Sequence, residues 1–140
     1  MSTRIVSVGE GRLLARSVAI GPHTVTADEP EPLGADTGPT PGELLLAALG
    51  SCTSMAVRAF ADRHDMPLER VDVAVRFVGG GNIVKNVGLT GDLDAAQRER
   101  LMGVAGRCPV HRLLTKEVSI VTVPTLLAEP DTSSVLPLTQ

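Results

Sequence analysis

Hydrophobic residues follow two periods along the chain, with one stretch that follows neither. That stretch, Leu44 to Ala61, is apolar almost all the way round a helical wheel, through Leu44 to Leu49 and again from Met55 to Ala61. A helix of this kind is covered on several faces. Thr40 is a good N-cap, Pro41 fits the first helical position, and Glu43 stands three residues after the cap, so a capping box starts the helix at Thr40. Asp62 to Asp65 turn polar, and Pro67 stops it. The run reads as too short and too clearly capped for a membrane span, which needs about 20 uninterrupted apolar residues.

On either side the period is two. Arg4 to Val8 and Arg12 to Ile20 read as a hairpin across Gly9-Glu10-Gly11, and His23 to Ala27 as a third strand. A loop rich in Pro, Gly and acids, Asp28 to Thr40, leads into the helix. Val71, Val73, Val75 and Phe77 alternate with polar residues, Gly79-Gly80-Gly81-Asn82 turns the chain, and Ile83 to Thr90 returns. Asp94 then caps a second helix with Gln97 as its capping-box partner, and Leu101, Val104, Ala105 and Cys108 share one face of it. Cys108-Pro109 opens a short helix running to about Thr115, and Val118 to Val123 reads as a last strand before Pro124. The order predicts an α+β domain over residues 1–124, with a tail over 125–140. One monomer offers little more than one sheet to cover so apolar a helix, so an intimate homodimer is expected.

Charge and composition narrow the function. The 140 residues suit one domain; the net charge of −3, scattered Lys and Arg, two Phe and no Tyr or Trp leave no surface for nucleic acid. Arg4, Arg12 and Arg16 interrupt any signal-peptide core, so no export signal is expected and a reducing cytoplasm is the default compartment. The two cysteines form neither a CxxC pair nor a zinc pattern, and no metal or other cofactor is expected. Cys52 lies mid-helix, where a cysteine is most often a small hydrophobe. Cys108 at a helix start sees the positive end of the dipole, which makes it the more acidic thiol by local argument. His111, in C-x-x-H spacing, reads as a solvated first-turn histidine or as a base for Cys108. If the two helix faces meet, the thiols could form a disulfide.

The segment Gly38-Pro39-Thr40-Pro41-Gly42-Glu43-Leu44-Leu45-Leu46-Ala47-Ala48-Leu49-Gly50-Ser51-Cys52-Thr53, followed by Gly91-Asp92-Leu93-Asp94 and Arg107-Cys108-Pro109-Val110-His111-Arg112, resembles the OsmC/Ohr family of osmotically inducible and organic-hydroperoxide-resistance proteins. The resemblance runs from about Arg12 to Val123 and takes in Ala27-Asp28-Glu29-Pro30. It implies two intertwined chains with sheets wrapped around central helices, and thiol-dependent reduction of organic hydroperoxides without metal or haem. By it Cys52 is the peroxide-attacking cysteine and Cys108 the resolving one, with a dithiol such as a lipoylated protein as reductant. It further implies an arginine near the attacking sulfur, matched by Arg12 with Arg16 behind it, and a glutamate that orients it, matched by Glu43. In typical hydroperoxide-resistance members that glutamate directly follows the proline; here Gly42 takes the place, as in the OsmC-like branch. Nine steps of about 100° put Glu43 on the helix face opposite Cys52, about 13 Å along the axis.

Two other readings stand beside the peroxidase. One is a non-enzymatic protein that binds an apolar ligand at the dimer interface, which a raised Cys52 pKa favours. The other is a cysteine-nucleophile hydrolase, for which no base and oxyanion site can be assembled. No membrane partner is expected.

Overall fold

The structure, a computed structural model, describes residues 4–124. The tail expected over 125–140 lies outside the described residues. β1 (Val6–Glu10), β2 (Arg16–Ile20) and β3 (His23–Ala27) form an antiparallel sheet in that order, with Val18 opposite both Val8 and Val25. The turn between β1 and β2 closes through Gly11 N–H to Ala15 C=O and Ala15 N–H to Arg12 C=O.

Asp28 organises the loop that follows. Its buried carboxylate accepts hydrogen bonds from the amides of Glu29, Ala35 and Thr37 and from the Thr37 hydroxyl. The Thr37 hydroxyl, then the Thr37 and Glu29 amides, hold the carboxyl down at about 2 against burial, which pushes the other way. The Asp28 amide in turn donates to Pro39 C=O at 3.0 Å, which fixes the end of β3 beside the start of the central helix.

That helix, α1 (Pro41–Arg63), begins as its sequence requires. Thr40 Oγ1 accepts from the Glu43 amide and Glu43 Oε1 accepts from the Thr40 amide, closing the capping box. Its burial differs from the expectation. Within one chain only Leu49, Thr53, Val57 and Ala61 are buried, one stripe at four-residue spacing, while Leu45 and Met55 stay exposed. One hairpin and two further helices can cover one side of a 23-residue helix and no more. Length does not exclude a membrane span either, since α1 is long and apolar enough by composition. Its place in the core is set by what packs on the stripe.

β4 (Leu68–Val78) and β5 (Asn82–Gly91) form that cover, an antiparallel hairpin joined by a 3-10 turn at Gly79–Gly81. Gly50 lets α1 come close to the hairpin: a Cβ there would stand 3.1 Å from Val75 Cγ2. Arg58 of α1 donates to Leu68 C=O at 2.8 Å and Glu69 C=O at 3.2 Å, tying the helix to the start of β4. α2 (Ala95–Ala105), capped by Asp94 and Gln97, adds Leu101, Val104 and Ala105 to a core with Val57, Ala61, Met66 and Leu68. α3 (Pro109–Leu114) follows with Cys108 as its N-cap and Pro109 in its first turn.

The strand expected over 118–123 does not form. Val118, Ile120, Val121 and Val123 are exposed and pair with no strand. Val118 and Ile120 to Val123 are all β-branched and supply the propensity for a strand, but Ile120-Val121 breaks the alternation, and neither of the two sheets among the described residues takes the segment onto its open edges.

Candidate functional site around Cys52 and Cys108

Four elements converge on the two cysteines. Cys52 and Thr53 come from α1, Cys108 caps α3, Ala105 ends α2, and Lys85 comes from β5. Cys52 is half-buried and Cys108 is 2% exposed; both are free thiols. The first turn of α3 leaves amide donors without intrahelical partners. One of them, Val110 N–H, points at Cys52 Sγ at 3.5 Å. Thr53 Oγ1 lies 3.4 Å from Cys108 Sγ and 2.9 Å from Leu49 C=O.

Lys85 joins these groups. Its ammonium donates to Thr53 Oγ1 at 2.9 Å and to the Ala105 carbonyl, the open C-terminal end of α2, and it lies 2.9 Å from His111 Nδ1. Three donors meet three acceptors, so the charge is fully engaged. With Lys85 protonated, His111 Nδ1 accepts and the ring proton sits on Nε2. The expectation of a solvated His111 is thereby corrected: the ring is half-buried and holds a lysine. Lys85 itself carried a sequence signal, since it occupies the strand face of Ile83, Val87 and Leu89, where an apolar residue belongs.

The electrostatics separate the thiols. Burial pushes Cys52 up, the Val110 amide pulls it down, and the neighbouring Cys108 pushes it up again, leaving it above a free thiol despite the Lys85 charge. Burial also opposes ionisation of Cys108, but the Thr53 hydroxyl, the His111 amide, the Cys52 sulfur and the Lys85 charge, in that order, outweigh it, and its pKa is lowered. Cys108 is the more acidic of the pair. Desolvation lowers Lys85, opposed by the charges of Cys108 and Cys52. Desolvation and the adjacent lysine both lower His111.

The other two site residues lie elsewhere in the single chain. Arg12 is exposed in the turn before β2, and Arg16 pairs with Glu10 at 3.5 Å. The cation that acts on Cys52 within the chain is Lys85. Glu43 is spent in the capping box and faces an open groove of about 460 Å³ between α1 and β4, lined also by Leu46, Ala47, Gly50 and Ser51. A second groove, of about 420 Å³, is lined by Cys108, by apolar residues including Ala56, Ala59 and Phe60, and by Arg63, Arg107 and Arg112. Among the described residues no group of three or more His, Cys, Asp or Glu is placed to hold a metal ion.

Residues 34–123, which hold both cysteines, match the family model described as OsmC-like protein. The chain belongs to the OsmC-like family. No curated protein matches it. Among solved structures, the OsmC-like protein from Mycoplasma pneumoniae superposes with a TM-score of 0.67 at 16% identity, covering 81% of this chain and 87% of that one. An organic hydroperoxide resistance protein OsmC from Legionella pneumophila gives 0.58 at 23% identity, over 82% and 90%. The organic hydroperoxide resistance protein OhrB of Bacillus subtilis gives 0.55 at 21% identity, over 81% and 91%. At these identities the likeness establishes the OsmC-like α+β fold, to which the two sheets and three helices described above correspond.

Proposed function

We propose that this OsmC-like protein is a thiol-dependent peroxidase that reduces organic hydroperoxides. The observation that carries the reading is the convergence of Cys52 and Cys108, the more accessible sulfur beside the more acidic one. The Cys52 thiolate attacks the terminal peroxide oxygen, the O–O bond breaks, and the alkoxide takes a proton to leave as an alcohol. The Cys108 thiolate then attacks the sulfur of the Cys52 sulfenic acid; an S–S bond forms, the S–O bond breaks, and hydroxide leaves as water after taking a proton. A dithiol, such as a protein-bound lipoyl group, reduces the disulfide and is itself oxidised. Sites of this kind complete themselves in a homodimer, in which the partner covers the open faces of α1 and brings an arginine, Arg12 or Arg16, to Cys52. A cytoplasmic location suits the free thiols.

The test is consumption of cumene hydroperoxide by the protein with dihydrolipoamide. The wild type turns over, Cys52→Ser does not, and Cys108→Ser reacts once and holds a sulfenic acid that dimedone traps at Cys52. Equal turnover by Cys52→Ser and wild type overturns the reading.

The raised Cys52 pKa within the chain favours a second reading, an apolar-ligand carrier. The groove beside Cys108 suits an amphiphile with an acidic head, since aliphatic and Phe60 surface and three guanidinium groups line it together. Native mass spectrometry of the purified protein separates the two: a carrier retains its ligand in Cys52→Ser and leaves cumene hydroperoxide untouched.

A further inference from the structure

We propose that Lys85 is a positioning residue that holds Cys108 as a thiolate through the hydroxyl of Thr53. The Thr53 hydroxyl has one proton and two lone pairs. Lys85 donates into one lone pair at 2.9 Å. When Cys108 is a thiol, its S–H fills the second lone pair and the Thr53 proton goes to Leu49 C=O. When Cys108 is a thiolate, the Thr53 proton turns to the sulfur. Leu49 C=O keeps its place in the α1 ladder, so nothing is orphaned by the turn. The ammonium polarises the hydroxyl most strongly in the second arrangement, where the chain runs from positive nitrogen through O–H to negative sulfur.

The surroundings keep the lysine in that role. Its remaining donors are taken by Ala105 C=O and His111 Nδ1, which fix the ammonium between α2, α3 and β5. The ionisable groups that act on it are the Cys52 and Cys108 sulfurs and the His111 ring. A lysine on the inner face of a strand is costly unless it is paired, and this one is fully engaged beside the two thiols. The inference deepens the peroxidase reading by assigning control of the resolving step, but its test uses no peroxide, so the two can fail separately.

The experiment is titration of thiolate absorbance near 240 nm in the Cys52→Ser protein, where Cys108 is the only cysteine. This readout needs no reagent to reach a buried sulfur. Adding Lys85→Met should raise the midpoint by about one pH unit. Thr53→Val should raise it comparably, and the combination of Lys85→Met with Thr53→Val should raise it no further than the larger single effect. If circular dichroism finds Lys85→Met unfolded, Lys85→Gln keeps a donor without the charge and should give the same rise. An unmoved midpoint on loss of the charge overturns the proposal. So does a Lys85 effect that persists in full in the Thr53→Val background, which would mean that the charge acts through space and not through the hydroxyl.

Discussion

His111 and Asp28 both tie local geometry to pH, with charge logic of different kinds. His111 is held neutral by desolvation and by Lys85, so its folded pKa lies below the ordinary 6.5. The unfolded chain therefore binds a proton first as pH falls, and stability declines below pH 6.5 towards the folded value. Comparing urea midpoints across this range should show the decline in the wild type and its absence in His111→Leu. Asp28 is ionised in the fold down to about 2, against 3.8 in the open chain, so its contribution is present above 3.8 and lost as pH falls from there to about 2. Asp28→Ala should lower the melting temperature at pH 7 by several degrees, because the amides of Ala35 and Thr37 lose their acceptor. At this scale sequence and structure agree on residues whose partners are neighbours in the chain. Glu43 and Gln97 were legible as capping-box partners because Thr40 and Asp94 stand three residues away. Lys85 and Thr53 were not picked out, since their meeting depends on how a hairpin and a helix pack.

Elements were legible where their own pattern sufficed. α1, α2, the hairpin β4–β5 and the short helix after Cys108 each carry start signals or alternation strong enough to place them within a few residues. The segment 118–123 is rich in β-branched residues, but Ile120-Val121 breaks its alternation, and a strand also needs a partner edge that no local pattern supplies. The packing of α1 on β4 depends on Gly50, where the helix passes Val75. Gly50→Val places branched carbon against that side chain and should destabilise the fold by about 1–3 kcal/mol, read from the urea midpoint. Unchanged stability would mean that the helix and hairpin are not held this close.

For the whole molecule, the exposed apolar residues define what is missing from one chain. Leu45 and Met55 on α1, Val6 and Val8 on β1, and Ile120 and Val121 beyond α3 are open to solvent together. A second copy that covers these faces would offer segment 118–123 a further sheet edge and would complete the burial that the α1 pattern calls for. Light scattering should therefore return the mass of a dimer, and Met55→Asp on the open face of α1 should shift it towards monomer. The chemistry of the two thiols is open to direct measurement. Reduced protein mixed with one equivalent of cumene hydroperoxide, quenched with an alkylating reagent and analysed by peptide mass spectrometry, should yield a Cys52–Cys108 disulfide within each chain and no alkylated cysteine. Two alkylated thiols after exposure to the hydroperoxide would contradict the account.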